Sequence, residues 1–353
     1  MDSHPQVLTF NGHFQFHYFW RTSTCVTSNE FLLSDFIKEF IGKHIEKFKS
    51  RYDLKEGKDR LGINRDQSID IDTLVFEDYF MQLMEEQIVN SRNCLLSIYG
   101  AYALSLDQDL ESKKVFLHHL HTHDELKYYL KDFPNSKIIS MTRNPFSNYY
   151  SGVTHHKNYN PESMDGPHHF FYIRRIIDDI LPLKDLQNDY VSIKLEDLGS
   201  IEILKKISGW LNIDYNETML QSTWAGLIWN ADRLTINERK GTGFSKDLLK
   251  NDWQKHLSRK DKYILNFLMV DRLKHYGYDY FKRSILSYFI MPLLIILPMD
   301  LEKQWFRIFN DNKTRNPKTL LRNILFYFIR CTYFFSLYKK IITGLKFSGK
   351  FIS

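Results

Sequence analysis

Apolar residues recur at helical spacing in three segments of the first third of the chain. The clearest is 29–49, where Phe36, Ile37, Phe40 and Ile41 fall on one face of a helix. Residues 71–88 and 93–106 repeat the pattern, whereas the polar, glycine-containing stretch 55–70 is predicted to be a loop. This part of the chain is therefore predicted to be mainly helical.

The pattern changes in the middle of the chain, where short apolar runs of strand type appear. They are KKVFLHHL at 113–120, KIISMT at 137–142 and YVSIK at 190–194, and helical stretches at 124–130 and 170–181 separate them. Strands that alternate with helices predict an α/β protein with a parallel sheet flanked by crossover helices. Ligands bind at the carboxyl ends of the strands in such sheets, so the residues just after each strand are candidate site residues.

Composition narrows the classes of function. The chain has 353 residues, 43% of them hydrophobic and 25% charged, as in ordinary globular proteins. Its cysteines, Cys25, Cys94 and Cys331, are too widely spaced for a disulfide framework and predict a reducing, cytoplasmic environment. Residues 301–353 hold 11 of the 48 Lys/Arg and 2 of the 42 Asp/Glu, so they carry +9 and the rest about −3. The nearly neutral body gives no reason to expect a nucleic-acid partner.

Two basic segments are candidate anion sites. Arg143 follows the strand KIISMT, Pro145 suits the first turn of a helix, and Ser151 falls about two turns further on. An arginine and a serine so placed can share one phosphate, although a surface arginine and an ordinary helical serine fit the local pattern as well. Further on, Arg239 and Lys240 precede Gly241, in a segment that is either a phosphate-closing loop or a solvated basic turn.

These segments together resemble a known family. SKIISMTRNPFSNYYS is similar to the 3′-phosphate-binding segment of the sulfotransferases that use 3′-phosphoadenosine 5′-phosphosulfate (PAPS), which is a strand, Arg-(Asn/Asp)-Pro and a serine eight residues after the arginine. Residues 238–241 resemble the family's later Arg-Lys-Gly loop, NDWQKHLS the segment after it, and KLEDL at 194–198 its strand-end Glu-Asp-Leu. These pieces occur in the family's order within residues 1–280.

The resemblance implies a P-loop-NTPase-like α/β fold, PAPS as the sulfuryl donor and a hydroxyl-bearing acceptor. It also implies a set of residues on the 3′ end of the nucleotide. Those residues are Arg143, Ser151, Arg239, Lys240 and Gly241.

The start of the chain is compared with the same family. There, a first strand leads into a phosphosulfate loop of the type Gly-x-x-(Arg/Lys)-Ser-Gly-Thr, and the helix after it ends in a stretch similar to residues 1–5, MDSHP. We therefore expect the first strand and this loop to be missing from the 353 residues, which contain no Ser-Gly-Thr and no G-x-x-x-x-G-K-[ST]. An active sulfotransferase and a non-catalytic nucleotide-binding remnant both stay open. A P-loop kinase is disfavoured because the Walker lysine is lacking.

Histidines supply the candidate bases. On a strand, His119, His121 and His123 would share one face. His121-Thr122-His123 resembles the Lys-Thr-His of cytosolic family members, which makes His123 the first candidate base and His121 the second. His13 is the third, at a place where other members have a glutamate. Zinc ligation and a plain polar strand end are the alternatives, and no metal is assigned.

The sequence divides into an α/β domain at 1–283 and a basic, aromatic tail at 284–353. Residues 284–299 form a 16-residue apolar run with two prolines, shorter than the ~20 residues of a spanning helix. Residues 320–337 mix aromatic side chains with Arg322 and Arg330, as in helices that lie in a membrane interface. The tail thus predicts peripheral membrane contact of a cytoplasmic protein and a carbohydrate or glycolipid acceptor. Packing of 284–299 into the core is the alternative.

Overall fold

The computed structural model describes residues 1–52, 59–120, 123–159, 189–229, 253–303, 317–344 and 350–352. Within these residues the protein is mixed α/β, and its short strands form three small sheets. The chain divides into two compact units. The first comprises 1–138, 197–248 and Ile352, and the second comprises 139–196, 249–351 and Ser353.

The described helices range from single turns to a helix of 27 residues. They are α1 (Phe16–Thr22), α2 (Thr24–Thr27), α3 (Leu33–Lys43), α4 (Ile45–Phe48), α5 (Thr73–Met84), α6 (Ser91–Leu104), α7 (His123–Asp132), α8 (Pro145–Tyr159), α9 (Ile201–Leu211), α10 (Trp253–His256), α11 (Arg259–His275), α12 (Ile285–Ile296), α13 (Asp300–Lys303) and α14 (Pro317–Thr343).

The described strands are short. They are β1 (Val7–Thr9), β2 (Val115–Leu117), β3 (Ile138–Thr142), β4 (Tyr190–Lys194), β5 (Thr223–Trp224), β6 (Leu227–Ile228) and β7 (Lys350–Ile352). β1 and β2 pair in parallel, β5 and β6 pair antiparallel, and the third sheet has the order β3-β4-β7.

The first unit is built around α6, nine of whose 14 residues are buried. Asn90 caps this helix by accepting a hydrogen bond from the Asn93 amide at 2.8 Å. A side chain at Gly100 would bring its Cβ within 2.8 Å of Leu83, so glycine allows α5 to pack closely on α6. Phe10, which follows β1, packs against Tyr102 of α6 with the ring centroids 4.1 Å apart. Strand β1 is thereby fixed to the aromatic core.

The second unit has a core of apolar side chains from α8, α11, α12 and α14. A buried ion pair joins α13 to α14, since Arg330 Nη2 lies 2.7 Å from Glu302 Oε2 and both side chains are 0% exposed. The Asp261 carboxylate of α11 accepts hydrogen bonds from the amides of Asp300 and Leu301. Residues 284–303 and 317–344 therefore pack with α8 and α11 in one unit.

Most elements predicted from periodicity are confirmed where the structure describes them. Segment 29–49 contains α3 and α4, segment 71–88 contains α5, segment 93–106 overlaps α6, and YVSIK is β4. Strand β2 covers only the middle of the predicted run 113–120. The predicted helix 170–181 lies outside the described residues.

The expectation that residues 1–5 end a helix is wrong, because they form turns that lead into β1. The side chain of His4 holds this conformation. Its Nδ1 accepts a hydrogen bond from the Gln6 amide at 3.1 Å, and its Nε2 lies 2.8 Å from the Asp214 carbonyl oxygen. A tertiary contact from far along the chain thus fixes the segment as a turn.

Candidate functional site

Arg143 and Asn144 connect the end of β3 to the start of α8. The Asn144 side chain accepts hydrogen bonds from the amides of Phe146 at 3.0 Å and Ser147 at 3.3 Å, which satisfies two of the amides in the first turn. Pro145 is the first helical residue, as its missing N–H allows. The predicted order of strand, Arg-Asn-Pro and helix is confirmed.

The residues after β4 meet those after β3. The Asn144 amide donates to Glu196 Oε1 at 3.1 Å, and Glu196 Oε2 accepts from the Tyr278 hydroxyl at 2.9 Å. Because β3 and β4 are neighbours in the sheet, this edge is the place where the carboxyl ends of two strands come together. Both oxygens of the carboxylate are used in holding the edge.

The guanidinium of Arg143 is partly buried at this edge. Burial lowers the pKa of Arg143, and the charge of Glu196 opposes that effect. The Nε atom is buried and has no hydrogen-bond partner among the residues that the structure describes. Arginine stays protonated in proteins, so the strand end carries a cation with one donor that the described residues leave without an acceptor.

Ser151 lies on α8, six residues after Pro145, which is about 9 Å along the helix axis. It is partly buried, like Arg143. The two residues thus share one strand–helix unit, at the spacing that the sequence predicts. Arg239, Lys240 and Gly241 lie outside the described residues.

The segment NDWQKHLS, which follows the second basic segment, packs against α8. The rings of Trp253 and Phe146 stack with centroids 4.8 Å apart, and those of His256 and Tyr150 stack at 4.9 Å. Helix α10, which begins the described part of this segment, therefore lies alongside the first two turns of α8. Two segments that are about a hundred residues apart in the sequence come together here.

A cavity of about 990 Å³ adjoins the same edge within the second unit. Asn144, Ser147 and Glu196 line it, together with the segment 279–284. Arg143 is not among its lining residues. The cavity is of the size that binds small organic molecules.

The candidate bases belong to the first unit. Strand β2 ends at Leu117, so the strand alternation that would align His119 with His123 does not continue. His123 begins α7, but its side chain is not described, and His121 lies outside the described residues. His13 follows Gly12, whose φ of +85° favours glycine, and its Nε2 lies 3.2 Å from Glu125 Oε2. Its ring centroid is 5.7 Å from that of His119.

A group of partly buried polar contacts lies near these residues, and no pattern in the sequence predicts it. The Tyr99 hydroxyl and His118 Nδ1 are 2.7 Å apart, and Asp132 Oδ2 contacts both His17 Nε2 at 3.0 Å and the Ser91 hydroxyl at 2.6 Å. Burial lowers the pKa of His118 to about 3 and that of His44 to about 4. These two imidazoles are therefore neutral at pH 7, and we assign them a structural role.

Within the described residues, no group of three or more His, Cys, Asp or Glu side chains is arranged to hold a metal ion. The site features of this mixed α/β protein are thus a strand-end arginine beside a capped helix, an adjoining cavity and a histidine group. Compared with known proteins, the chain matches no family model, no curated protein and no solved structure.

Proposed function

We propose that the protein binds a 3′-phosphorylated adenine nucleotide through Arg143 and acts as a sulfotransferase that uses PAPS. The observation that carries the proposal is the partly buried guanidinium at the end of β3, whose Nε has no acceptor among the described residues. A phosphate would supply that acceptor, and an arginine can bind it through two parallel hydrogen bonds. The Ser151 hydroxyl on α8 would donate to the same group.

The packing of α10 on α8 supports this proposal. The Phe146–Trp253 stack brings the segment that resembles the family's post-loop region next to the segment that resembles its 3′-phosphate site. In the family, both regions serve one nucleotide. By that resemblance, the 3′-phosphate would also be bound by Arg239, Lys240 and Gly241.

PAPS would supply the sulfuryl group, and the chain's own residues would orient the nucleotide and take a proton from the acceptor hydroxyl. Sulfuryl transfer, like phosphoryl transfer, requires in-line geometry and a base within hydrogen-bond reach of the acceptor. By resemblance the base is His123, with His121 and then His13 as alternatives. The acceptor class we propose is a carbohydrate or glycolipid.

Calorimetric titration tests the nucleotide site. We expect adenosine 3′,5′-bisphosphate to bind more tightly than 5′-AMP, and we expect Arg143→Gln to remove the preference. The matched control is Arg21→Gln, at an exposed arginine that lies over the Tyr128 ring in the first unit. Equal binding of both nucleotides to the folded protein would contradict the proposal.

Transfer assays separate the enzyme from the non-catalytic alternative. Labelled PAPS is incubated with the protein and a panel of glycans and glycolipids. Transfer that fails in Arg143→Gln supports a sulfotransferase. Tight bisphosphate binding without transfer to any acceptor supports the nucleotide-binding remnant.

A second function, peripheral contact with an anionic membrane, is favoured by the surface of α12. Ile285, Phe289 and Leu293 follow at four-residue spacing and are 82%, 73% and 67% exposed. In α14, the exposed Leu321 and Leu325 flank Arg322. Apolar side chains beside cations are suited to an anionic lipid surface.

One described segment, Ile285–Lys303, is long and apolar enough to cross a membrane by length and composition, with 33% of it buried inside the protein. Glu302 within it is fully buried in the ion pair with Arg330. This pairing favours contact with the membrane surface over spanning, because a spanning segment would have to break it.

Vesicle flotation tests membrane contact. We expect the protein to float with vesicles that contain phosphatidylserine and to stay at the bottom with pure phosphatidylcholine. The double variant Phe289→Ser/Leu293→Ser should lose flotation, whereas Thr332→Ser, an exposed change on α14, should keep it. Failure of the unmodified protein to float with anionic vesicles would contradict the idea.

A further inference from the structure

Hydrogen bonds and ring stacking hold several of the residues that line the cavity of the second unit. Asn266 of α11 holds the segment before α12, since its Nδ2 donates to the Phe281 carbonyl at 2.8 Å and its Oδ1 accepts from the Phe281 amide at 3.0 Å. The stacked Phe146 and Trp253 also line the cavity, and they belong to the packing of α10 on α8. These contacts fix part of the lining, and ligand pockets are usually largely formed before the ligand binds.

The charges that line the cavity favour an anion. Among the described residues, four basic side chains, Arg259, Lys262, Lys282 and Arg283, and two carboxylates, Glu196 and Asp279, line the cavity. Glu196 already accepts from the Asn144 amide and the Tyr278 hydroxyl. A third carboxylate, Asp271, pairs with Arg283, so these described side chains keep one positive charge in excess.

Arg283 is the most specific of these groups. Its side chain is 8% exposed, its Nη1 lies 2.8 Å from Asp271 Oδ2, and its Nε donates to the Phe267 carbonyl at 2.7 Å. Its Nη2 is buried and has no partner among the described residues. A buried charged donor without an acceptor costs free energy, which an anionic oxygen would recover.

The start of α12 adds positive electrostatic potential to that of the basic side chains. Ser284 caps this 12-residue helix by accepting from the Ser287 amide, and both serines line the cavity next to Arg283. The N-terminus of a helix carries partial positive charge. It thus strengthens the attraction that the guanidinium exerts on an anion.

The lining also includes aromatic side chains, among them Phe146, Trp253, Tyr263 and Phe267. Flat apolar rings favour a flat apolar ligand body, and the guanidinium of Arg283 lies 5.1 Å from the Phe267 centroid. We propose that this cavity binds a small organic anion with an aromatic body, its charged group at Arg283. The inference does not rest on nucleotide binding at Arg143, since that residue does not line the cavity.

Calorimetry with 1-naphthyl phosphate tests the site, with 1-naphthol and inorganic phosphate as partial ligands. We expect the complete probe to bind at least about tenfold more tightly than either part, because it uses both the cations and the rings. Arg283→Lys keeps a cation for Asp271 but removes Nη2, and we expect about tenfold weaker binding of naphthyl phosphate with naphthol unchanged. Arg92→Lys, at an exposed arginine over the Phe133 ring, is the matched control.

A second variant covers the case in which Arg283→Lys does not fold. Trp253→Leu keeps apolar bulk and removes the flat ring, so naphthyl phosphate should bind several-fold more weakly while inorganic phosphate is unaffected. Equal affinity for naphthol and naphthyl phosphate would overturn the proposal. So would displacement of the probe by adenosine 3′,5′-bisphosphate together with loss of probe binding in Arg143→Gln, because the probe would then occupy the nucleotide site.

Discussion

Two arginine environments of the second unit differ in how the charge is matched. Arg330 is fully buried, and its guanidinium donates to both oxygens of Glu302 and to the carbonyl oxygen of Ile295. Arg143 is partly buried beside Glu196, but the oxygens of that carboxylate accept from Asn144 and Tyr278. Burial alone would lower the pKa of both arginines. The pairing with Glu302 reverses this for Arg330, whose pKa is raised, whereas the pKa of Arg143 stays lowered.

The difference separates a structural group from a binding group. A buried polar group whose partners are all supplied by the protein contributes to the fold. Its removal leaves the remaining partner buried and unpaired. A partly buried cation that the protein leaves incompletely matched costs stability until a ligand arrives. The comparison can be tested by removing each kind of group in turn.

The largest effect is expected from Arg330→Gln. This change leaves Glu302 fully buried without its cation, which costs about 3–5 kcal/mol in the free energy of unfolding. Urea denaturation followed by circular dichroism measures the loss. A cost below about 1 kcal/mol would mean that the pair does not hold α13 and α14 together.

The pH dependence of stability tests buried groups of the first unit in the same way, because His118 and His44 are buried as neutral imidazoles. The folded-state pKa values of about 3 for His118 and about 4 for His44 lie below the ordinary 6.5, so the unfolded chain binds more protons as pH falls. The contribution of these histidines to stability is therefore complete above about pH 6.5 and is lost as the pH falls toward 4 for His44 and toward 3 for His118. Each histidine should cost about 1 kcal/mol between pH 7 and pH 5.5.

Urea denaturation at a series of pH values measures this slope. The double variant Tyr99→Phe/His118→Phe removes the hydrogen-bonded pair as a whole and should flatten the slope by the share of one histidine. An unchanged slope in the variant would show that His118 is not buried as a neutral imidazole.

A smaller effect distinguishes a matched hydroxyl from an unmatched one. Tyr99→Phe removes the partner of His118 Nδ1 and should cost about 1–2 kcal/mol. The control is Tyr149→Phe in the second unit, because the Tyr149 hydroxyl is buried with no partner among the described residues. We expect the control to be neutral or stabilising by thermal denaturation. Equal destabilisation by both changes would contradict the distinction.

Periodicity was sufficient for the elements whose patterns are local. The apolar stripe of α3 and the alternation in β4 are visible in the sequence, and Pro145 marks the start of α8. Strand β1 has three residues, too few for a period, and is formed by pairing with β2 more than a hundred residues away. The position of Arg143 was predictable because a strand, an arginine and a helix start are adjacent in the chain.

The partners that give the site its character were not predictable in this way. Tyr278 reaches Glu196 from 82 positions along the chain, and Glu125 reaches His13 from 112. Arg283 lies in the segment KRS, which has the pattern of an ordinary basic turn. Only the fold shows that its side chain is buried against Phe267 and lines a cavity.

The smallest change in stability is expected from the most direct test, Arg143→Gln. The substitution removes a partly buried charge for which the described residues supply little compensation, so the free energy of unfolding should change by no more than about 0.5 kcal/mol, or increase slightly. Arg330→Gln is the matched variant, because it makes the same arginine-to-glutamine change in the same unit. The two variants are compared by the same urea titration. If Arg143→Gln were as destabilising as Arg330→Gln, Arg143 would be a structural arginine and the argument for an anion at the end of β3 would fail. A stable variant that has lost the bisphosphate preference would instead show that the charge is kept there for binding, because the fold does not need it.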